Sequence, residues 1–168
     1  MTLVVAPRED LSVEMWWRTP GDQNESDVVG TDLDLHLRHP LAESWDGPLD
    51  CFTSHPQLDW GAVGDPAGDP ELADDDGAGP EVIRVAQEEN SDILGAPYRV
   101  GVAYRRAESL SVGESYGPSE ARLRVWHRGL LLWSSEPGFI LERTGDFWEA
   151  AEVFTGAIPR VVPLDGAE

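Results

Sequence analysis

The chain has 168 residues, of which 40% are hydrophobic and 26% are charged, a balance that excludes a disordered polypeptide and fits one folded domain. Its 32 acidic residues outnumber 12 basic residues, all of them arginines, and the formal net charge is −20. A field of that sign repels phosphate backbones, and no apolar stretch is long enough to span a bilayer, so we expect no nucleic-acid partner and no direct membrane insertion.

The composition also indicates the fold class. There are 17 glycines and 13 prolines, which favour many turns, and seven tryptophans, which supply large apolar surfaces for short strands to bury. We therefore predict an all-β protein, an antiparallel β-sandwich of jelly-roll or immunoglobulin-like type with roughly seven to nine strands.

Two early segments alternate apolar and polar residues, the pattern of a strand with one buried face. They are residues 11–17 and 33–37, and we expect them to form two strands that pair with each other. Asp32 and Asp34 lie two residues apart on the polar face of the second strand, so their carboxylates should lie side by side. The alternative for this pair is an ordinary solvated strand face.

A long acidic loop from about residue 38 to residue 81 has little periodicity and is dense in Pro, Gly and Asp. Loops of this length inside compact domains are usually functional or disordered. Trp45, Phe52 and Trp60 lie within the loop, and large aromatic side chains are costly to leave in water. We therefore expect parts of the loop to fold back onto the sandwich.

Three adjacent aspartates, residues 74–76, lie near the end of this loop. Their mutual repulsion disfavours a compact arrangement unless solvent screens it or a cation binds among the oxygens. Hard oxygen ligands select calcium or magnesium, and calcium better tolerates an irregular set of ligands. The loop is not an EF-hand, because placing Gly77 sixth would put Leu72 and Ile83 at the first and twelfth ligand positions.

Two later segments, residues 98–104 and 121–126, again alternate apolar and polar residues. The second ends at the turn "HRG" and continues as "LLLWSS", which predicts a hairpin. The segment "DFWEAAEVF" fits a short helix or a final strand on which Phe147, Ala151 and Val153 share a face, and we predict the strand.

The nucleophiles and histidines give little support for catalysis. Cys51 is the only cysteine, which excludes an intrachain disulfide, and beside Asp50 its thiolate is disfavoured, so we expect a packing role. His36 and His39 are three apart on a strand and face opposite sides, so we do not expect a zinc site. The chain has no nucleophile elbow and no glycine-rich phosphate loop, and we predict that it is not an enzyme.

The order of several motifs resembles a family of modules in bacterial surface and secreted proteins to which metal binding is ascribed. The motifs are "DLDLHLRHP", "DCFTSHPQLDWG", "DPELADDDGAGPEVI", "YRVGVAYR", "YGPSEARLRVW" and "DFWEAAEV", and they span about residues 11–153. The resemblance implies a β-sandwich broadly similar to pre-peptidase C-terminal domains. It also implies metal-binding positions at Asp32, Asp34, Asp50, Asp59, Asp69, Asp74, Asp75, Asp76 and Glu81. One departure is Ala73, which stands where an aspartate is common.

These observations predict one domain over residues 1–168. They also predict that this domain is a non-catalytic calcium-binding structural or interaction module. Calcium would order the acidic loop against the sheet, and the partner would be a protein or a polysaccharide. The expected location is extracellular or at the cell surface; the first residues lack the basic start of a signal peptide, so that signal would not be part of this chain.

Three alternatives stay open at this point. The first is a calcium-dependent adhesion module that binds carbohydrate or matrix, in which Trp16, Trp45, Trp60 and Trp126 could stack against sugars unless they pack in the core. The second is a hydrolase that uses paired carboxylates. The third is an acidic domain that binds no metal.

Overall fold

The structure, a computed structural model, describes residues 6–25, 30–73, 79–107 and 116–164. Two antiparallel β-sheets pack face to face, which confirms the predicted all-β sandwich. One helical turn, α1 (Ser91–Leu94), is present in the described residues, and it is far too short to cross a membrane.

Eleven strands form the two sheets within the described ranges. In chain order they are β1 (Leu11–Arg18), β2 (Thr31–Arg38), β3 (Asp50–Cys51), β4 (Pro70–Ala73), β5 (Glu81–Val85), β6 (Tyr98–Ala107), β7 (Ser119–His127), β8 (Leu130–Ser134), β9 (Phe139–Leu141), β10 (Phe147–Phe154) and β11 (Arg160–Pro163). The count exceeds the predicted seven to nine because several short strands, such as the two-residue β3, carry too few residues to show a period.

The first sheet has the order β4–β5–β1–β7–β8, and β9 also pairs with β7. The second sheet has the order β11–β10–β6–β2–β3. Both sheets are open, so β4 and β8 are the outer strands of the first sheet.

The core lies between the two sheets and is built from the alternation seen in the sequence. On β1 and β7 every second residue is buried, and β2 and β6 present a matching apolar row from the other sheet. These buried residues include Leu11, Val13, Met15, Trp17, Leu33, Leu35, Leu37, Val100, Val102, Ala121, Leu123 and Val125.

The predicted pairing of the first two strands is wrong. β1 pairs with β5 and β7, whereas β2 pairs with β3 and β6, so the two strands belong to different sheets. Each strand has one apolar face, and both apolar faces are buried because the two strands face each other across the core. Alternation specifies which face is buried but does not identify the hydrogen-bonded neighbour.

The segment "DFWEAAEVF" is a strand, β10, as predicted, but it is not the last one, because β11 follows and pairs with it. The predicted shared face is also wrong for Phe147. A register shift between Glu149 and Ala151 indicates a bulge, and Trp148 and Ala150 enter the core while Phe147 is 38% exposed. One extra residue in a strand reverses the side-chain alternation on either side of it.

The predicted hairpin joins β7 to β8 through Arg128 and Gly129. Both residues have positive φ, 49° and 76°, as two-residue turns between twisted strands require. β8 then forms an edge of its sheet, with Leu130 68% exposed and Leu131 48% exposed.

The long middle segment is not a continuous loop, since β3 and β4 lie within it. Phe52 and Trp60 are 4% and 2% exposed, which confirms that parts of this segment fold onto the sandwich. The Trp60 ring packs against His39 with centroids 5.0 Å apart, and the Trp60 backbone N–H donates to Asp69 Oδ1 at 2.8 Å. The ring contact holds Trp60 against the residue that follows β2, and the hydrogen bond joins two parts of the middle segment to each other.

We expect Leu35→Ala to lower the free energy of unfolding by about 2–5 kcal/mol, because it removes a fully buried side chain from the centre of the core. Leu130→Ala, in an exposed edge position, is the matched control and should change it by less than about 0.5 kcal/mol. Urea unfolding followed by tryptophan fluorescence measures both variants. Equal effects would contradict the described core.

Candidate metal site

Three carboxylates predicted to bind metal lie together where the two sheets meet. Asp32 and Asp34 are on β2 of one sheet, and Glu81 begins β5 of the other. One oxygen from each lies within 4.8 Å of the other two. The oxygens are therefore close enough to share one ion.

Glu81 reaches across the sandwich because of its place on β5. It lies on the inward side of the strand, with Ile83 and Val85, and its side chain is fully buried. The Leu35 N–H donates to Glu81 Oε2 at 2.8 Å, at the edge of β2 that faces away from β6. A carboxylate of one sheet thus completes the hydrogen bonding of a strand in the other.

Asp34 is 5% exposed, and burial raises its pKa above the ordinary value. Arg105 of β6 opposes this shift through its charge and through a hydrogen bond from Nε to Asp34 Oδ2 at 3.0 Å. The raised pKa indicates that one guanidinium does not fully offset the cost of burying this charge.

Arg105 also connects the carboxylates to the middle segment. Its Nη2 lies 2.7 Å from Asp46 Oδ1 and 3.1 Å from His36 Nε2. A guanidinium can only donate, so His36 Nε2 accepts and the ring proton lies on Nδ1. That nitrogen donates to Asp50 Oδ2 at 2.8 Å, and the Asp46 N–H donates to the same oxygen at 2.8 Å.

Aromatic rings enclose this network. Phe52 stacks on His36 with centroids 4.5 Å apart, and Phe147 contacts the same imidazole edge-on at 5.4 Å. His36 and Asp50 are 0% exposed as a result. Exclusion of water strengthens the hydrogen bonds and makes the loss of any one partner costly.

A second group, formed by His36, Asp46 and Asp50, also brings potential metal ligands within 4.8 Å of one another. Here the ligand atoms already bond to each other and to Arg105, whose positive charge lies among them. A metal ion would have to displace the guanidinium and break the bond between the imidazole and Asp50. The contacts therefore favour a structural role for this group.

The structure brings together only part of the predicted ligand set. Asp50 lies in the neighbouring network, and Asp69 accepts a hydrogen bond from the Trp60 backbone. Asp59 is exposed and, within the described residues, belongs to neither group of close ligands, and the same holds for Asp69. Asp74, Asp75 and Asp76 lie outside the described residues, so their predicted role stays a prediction.

Sequence reasoning missed Arg105 and the connecting role of His36. His36 carried a usable signal, because it lies two residues from Asp34 and must share its face of β2. No sequence pattern pointed to Arg105, because its contact with β2 depends on the β2–β6 register and on the bulge between Asp32 and Leu33. Local spacing does not encode that register.

The donor chemistry of Asp32, Asp34 and Glu81 fits a hard divalent cation, of which calcium and magnesium are examples. All three offer hard carboxylate oxygens, and calcium takes six to eight oxygens at about 2.3–2.6 Å. Carboxylates that bind through both oxygens could fill much of such a shell, with backbone carbonyls or waters completing it. The set offers neither a thiolate nor an imidazole, the ligands that zinc sites usually contain.

Asp50→Ala should lower the free energy of unfolding by about 3 kcal/mol in chelator-treated protein, because it leaves the buried His36 N–H without its acceptor. Asp59→Ala removes an equally charged but exposed side chain and should cost less than about 0.5 kcal/mol. Chemical unfolding of both variants provides the comparison, and a small effect of Asp50→Ala would contradict a structural role for this network.

The Cys51 thiol should be unreactive in the folded protein. It is fully buried, and burial together with the neighbouring Asp50 raises its pKa to about 12. We expect labelling by an aromatic disulfide reagent at about pH 8 to be slow in native protein and fast in guanidinium chloride, where the pKa returns to about 8.5. Equal rates in the two states would contradict the described packing of β3.

Comparisons with known proteins add no family to these observations. No protein-family model, no curated protein and no solved structure matches this chain. The resemblance noted from the sequence motifs therefore stays a prediction, and the functional argument depends on the geometry of the site.

Proposed function

We propose that this domain is a non-catalytic calcium-binding structural module of a secreted or cell-surface protein. The observation that carries the proposal is the meeting of Asp32 and Asp34 of one sheet with Glu81 of the other, with oxygens within 4.8 Å. A cation bound at this place ties the two sheets together where β2 lacks a strand neighbour.

Electrostatics support a cation at this position. Two unit charges 4 Å apart repel by about 4 kcal/mol at an effective dielectric constant of 20, and three carboxylates make three such pairs. Arg105 neutralises part of this charge through Asp34, and Arg106 lies opposite Asp32 in the β2–β6 register. A divalent ion supplies the further positive charge and accepts the oxygens as ligands.

Accessibility supports a structural role over a catalytic one. Glu81 and His36 are 0% exposed and Asp34 is 5% exposed, so a substrate cannot reach these groups without opening the fold. A general acid or base must lie within hydrogen-bonding reach of the substrate proton. A buried ion, by contrast, stabilises the folded state simply by binding it in preference to the unfolded state.

An extracellular location, where calcium is abundant, would suit a site of low affinity. Calcium modules of extracellular proteins work with dissociation constants on the order of 10⁻⁴–10⁻³ M, which a few carboxylates and waters can provide. Calcium would then hold β2 and β5 together and stabilise the attached middle segment through Arg105 and Asp46.

Calcium titrated into chelator-treated protein should bind, and at about 100 times its dissociation constant it should stabilise the fold by ~2.7 kcal/mol, which raises Tm by roughly 5–10 °C. Glu81→Gln keeps an acceptor for the Leu35 N–H but removes a charged ligand, so it should abolish most of the binding. Calorimetric titration and thermal unfolding measure both effects.

The control variant is Asp59→Asn, which removes the same charge at an exposed position and should bind calcium as the unmodified chain does. Magnesium serves as the control ion and should bind more weakly, because it requires a stricter octahedral shell. An unchanged Tm with calcium would refute the proposal. Equal losses in Glu81→Gln and Asp59→Asn would indicate diffuse counter-ion binding instead of a site.

A further inference from the structure

His39 lies where three parts of the chain meet: the end of β2, the middle segment, and the connection between β5 and β6. It directly follows β2 and is 4% exposed. Its backbone N–H donates to the Leu49 carbonyl at 3.0 Å, and its own carbonyl accepts from the Ala42 N–H at 2.9 Å. These two bonds hold the backbone from which the imidazole ring projects.

Both nitrogens of the His39 ring form hydrogen bonds. The Leu41 backbone N–H donates to Nδ1 at 3.2 Å. A ring nitrogen that accepts a hydrogen bond carries no proton, so the proton lies on Nε2, which donates to Glu89 Oε2 at 2.9 Å. The surrounding groups therefore suit the neutral imidazole, with one nitrogen as acceptor and the other as donor.

The same ring is a packing surface for the middle segment. Trp60, which is 2% exposed, lies against it with centroids 5.0 Å apart, and Tyr98 of β6 contacts it edge-on at 5.7 Å. Glu89 packs beside the next residue of the segment, since its carboxylate carbon lies 3.7 Å from the position that a Cβ would occupy on Gly61. The imidazole thus connects β2 to the part of the middle segment around Trp60.

A second proton on this ring disrupts the arrangement. A proton on Nδ1 would point at the Leu41 N–H, so that two donors would face each other. The charge would also enter a nearly dry site, where the titratable groups that face the ring from the described residues are Glu89 and Tyr98.

The two facing groups do not compensate a charged ring. Burial raises the pKa of Tyr98, so its hydroxyl stays neutral, and Trp60 carries no charge. Burial lowers the pKa of His39 below its ordinary value of about 6.5, and the hydrogen bond and the charge of Glu89 oppose this shift only in part. The contacts and the buried position therefore both favour the neutral ring.

We propose that His39 is a pH-sensitive anchor, which holds the part of the middle segment around Trp60 on the sandwich while its ring is neutral and releases it when the ring is protonated. Once the segment opens, the ring enters water and titrates at about pH 6.5, whereas in the closed arrangement it takes up a proton only at lower pH. The closed arrangement therefore keeps its full stability above about pH 6.5 and loses stability as the pH falls, because opening takes up a proton. This device goes beyond calcium binding and does not depend on it.

The test measures hydrogen exchange of residues 57–69 in the full chain with chelator present, at about pH 7.5 and about pH 5.5. Each exchange rate is divided by that of an unstructured peptide at the same pH, which gives the opening equilibrium constant of the segment. We expect this constant to rise severalfold at the lower pH, with about tenfold as the limit for the uptake of one proton. Peptides from β7 should keep their protection, because the release is local.

Two variants separate His39 from the other histidines. His39→Asn keeps an oxygen that accepts from the Leu41 N–H two residues on but cannot take up a proton, so its opening constant should be the same at both pH values. The matched control is His127→Gln, which removes another buried imidazole bonded to a glutamate, Glu88, at 3.2 Å. It should retain the severalfold rise.

The proposal is overturned if the unmodified chain shows no rise, if His39→Asn shows an equal rise, if His127→Gln abolishes the rise, or if β7 loses protection in parallel. A titration of the unmodified chain by NMR keeps the proposal testable should His39→Asn not fold. The His39 ring should titrate with a midpoint below about pH 6.5, and the indole signal of Trp60 should change with the same midpoint. A midpoint at or above that value, or an unchanged indole signal, would overturn it.

Discussion

The bond between Glu81 and the Leu35 N–H is the contact on which the rest of the site depends. It places a charged group from one sheet against the backbone of the other and aligns that group with Asp32 and Asp34. Burying a carboxylate is expensive unless hydrogen bonds and opposite charge surround it. The positive charge and hydrogen bonds of Arg105 offset part of that cost, and the proposed calcium ion would offset more of it.

The sequence predicted that Asp32 and Asp34 lie close together better than it predicted the full set of carboxylates in the cluster. The spacing of Asp32 and Asp34 on an alternating strand was enough to place them side by side, because strand geometry fixes which residues share a face. The resemblance carried by the order of the motifs then added Glu81 to the predicted metal ligands. The same reasoning included Asp59 and Asp69, which form no part of the cluster, because acidic composition in a long segment does not reveal which carboxylates converge.

The fold could be predicted to the level of the sandwich and its buried faces. Apolar alternation identified the inward residues of β1, β2 and β7, and the Arg128–Gly129 turn identified a hairpin. Strand order could not be obtained in this way, since β1 and β2 are consecutive along the chain yet lie in opposite sheets. Bulges were also missed, because the extra residue in β10 resembles ordinary sequence until the partner strand is known.

The large negative charge of the chain opposes association of two copies through the exposed leucines of β8. An edge strand with apolar side chains and unpaired backbone groups is a template on which a second copy could add. Leu130 and Leu131 present such an edge, and the electrostatic repulsion expected between two chains of net charge −20 opposes contact between those edges. Since the range of that repulsion shrinks from about 30 Å at 0.01 M salt to about 3 Å at 1 M, colloidal stability should decrease as ionic strength rises.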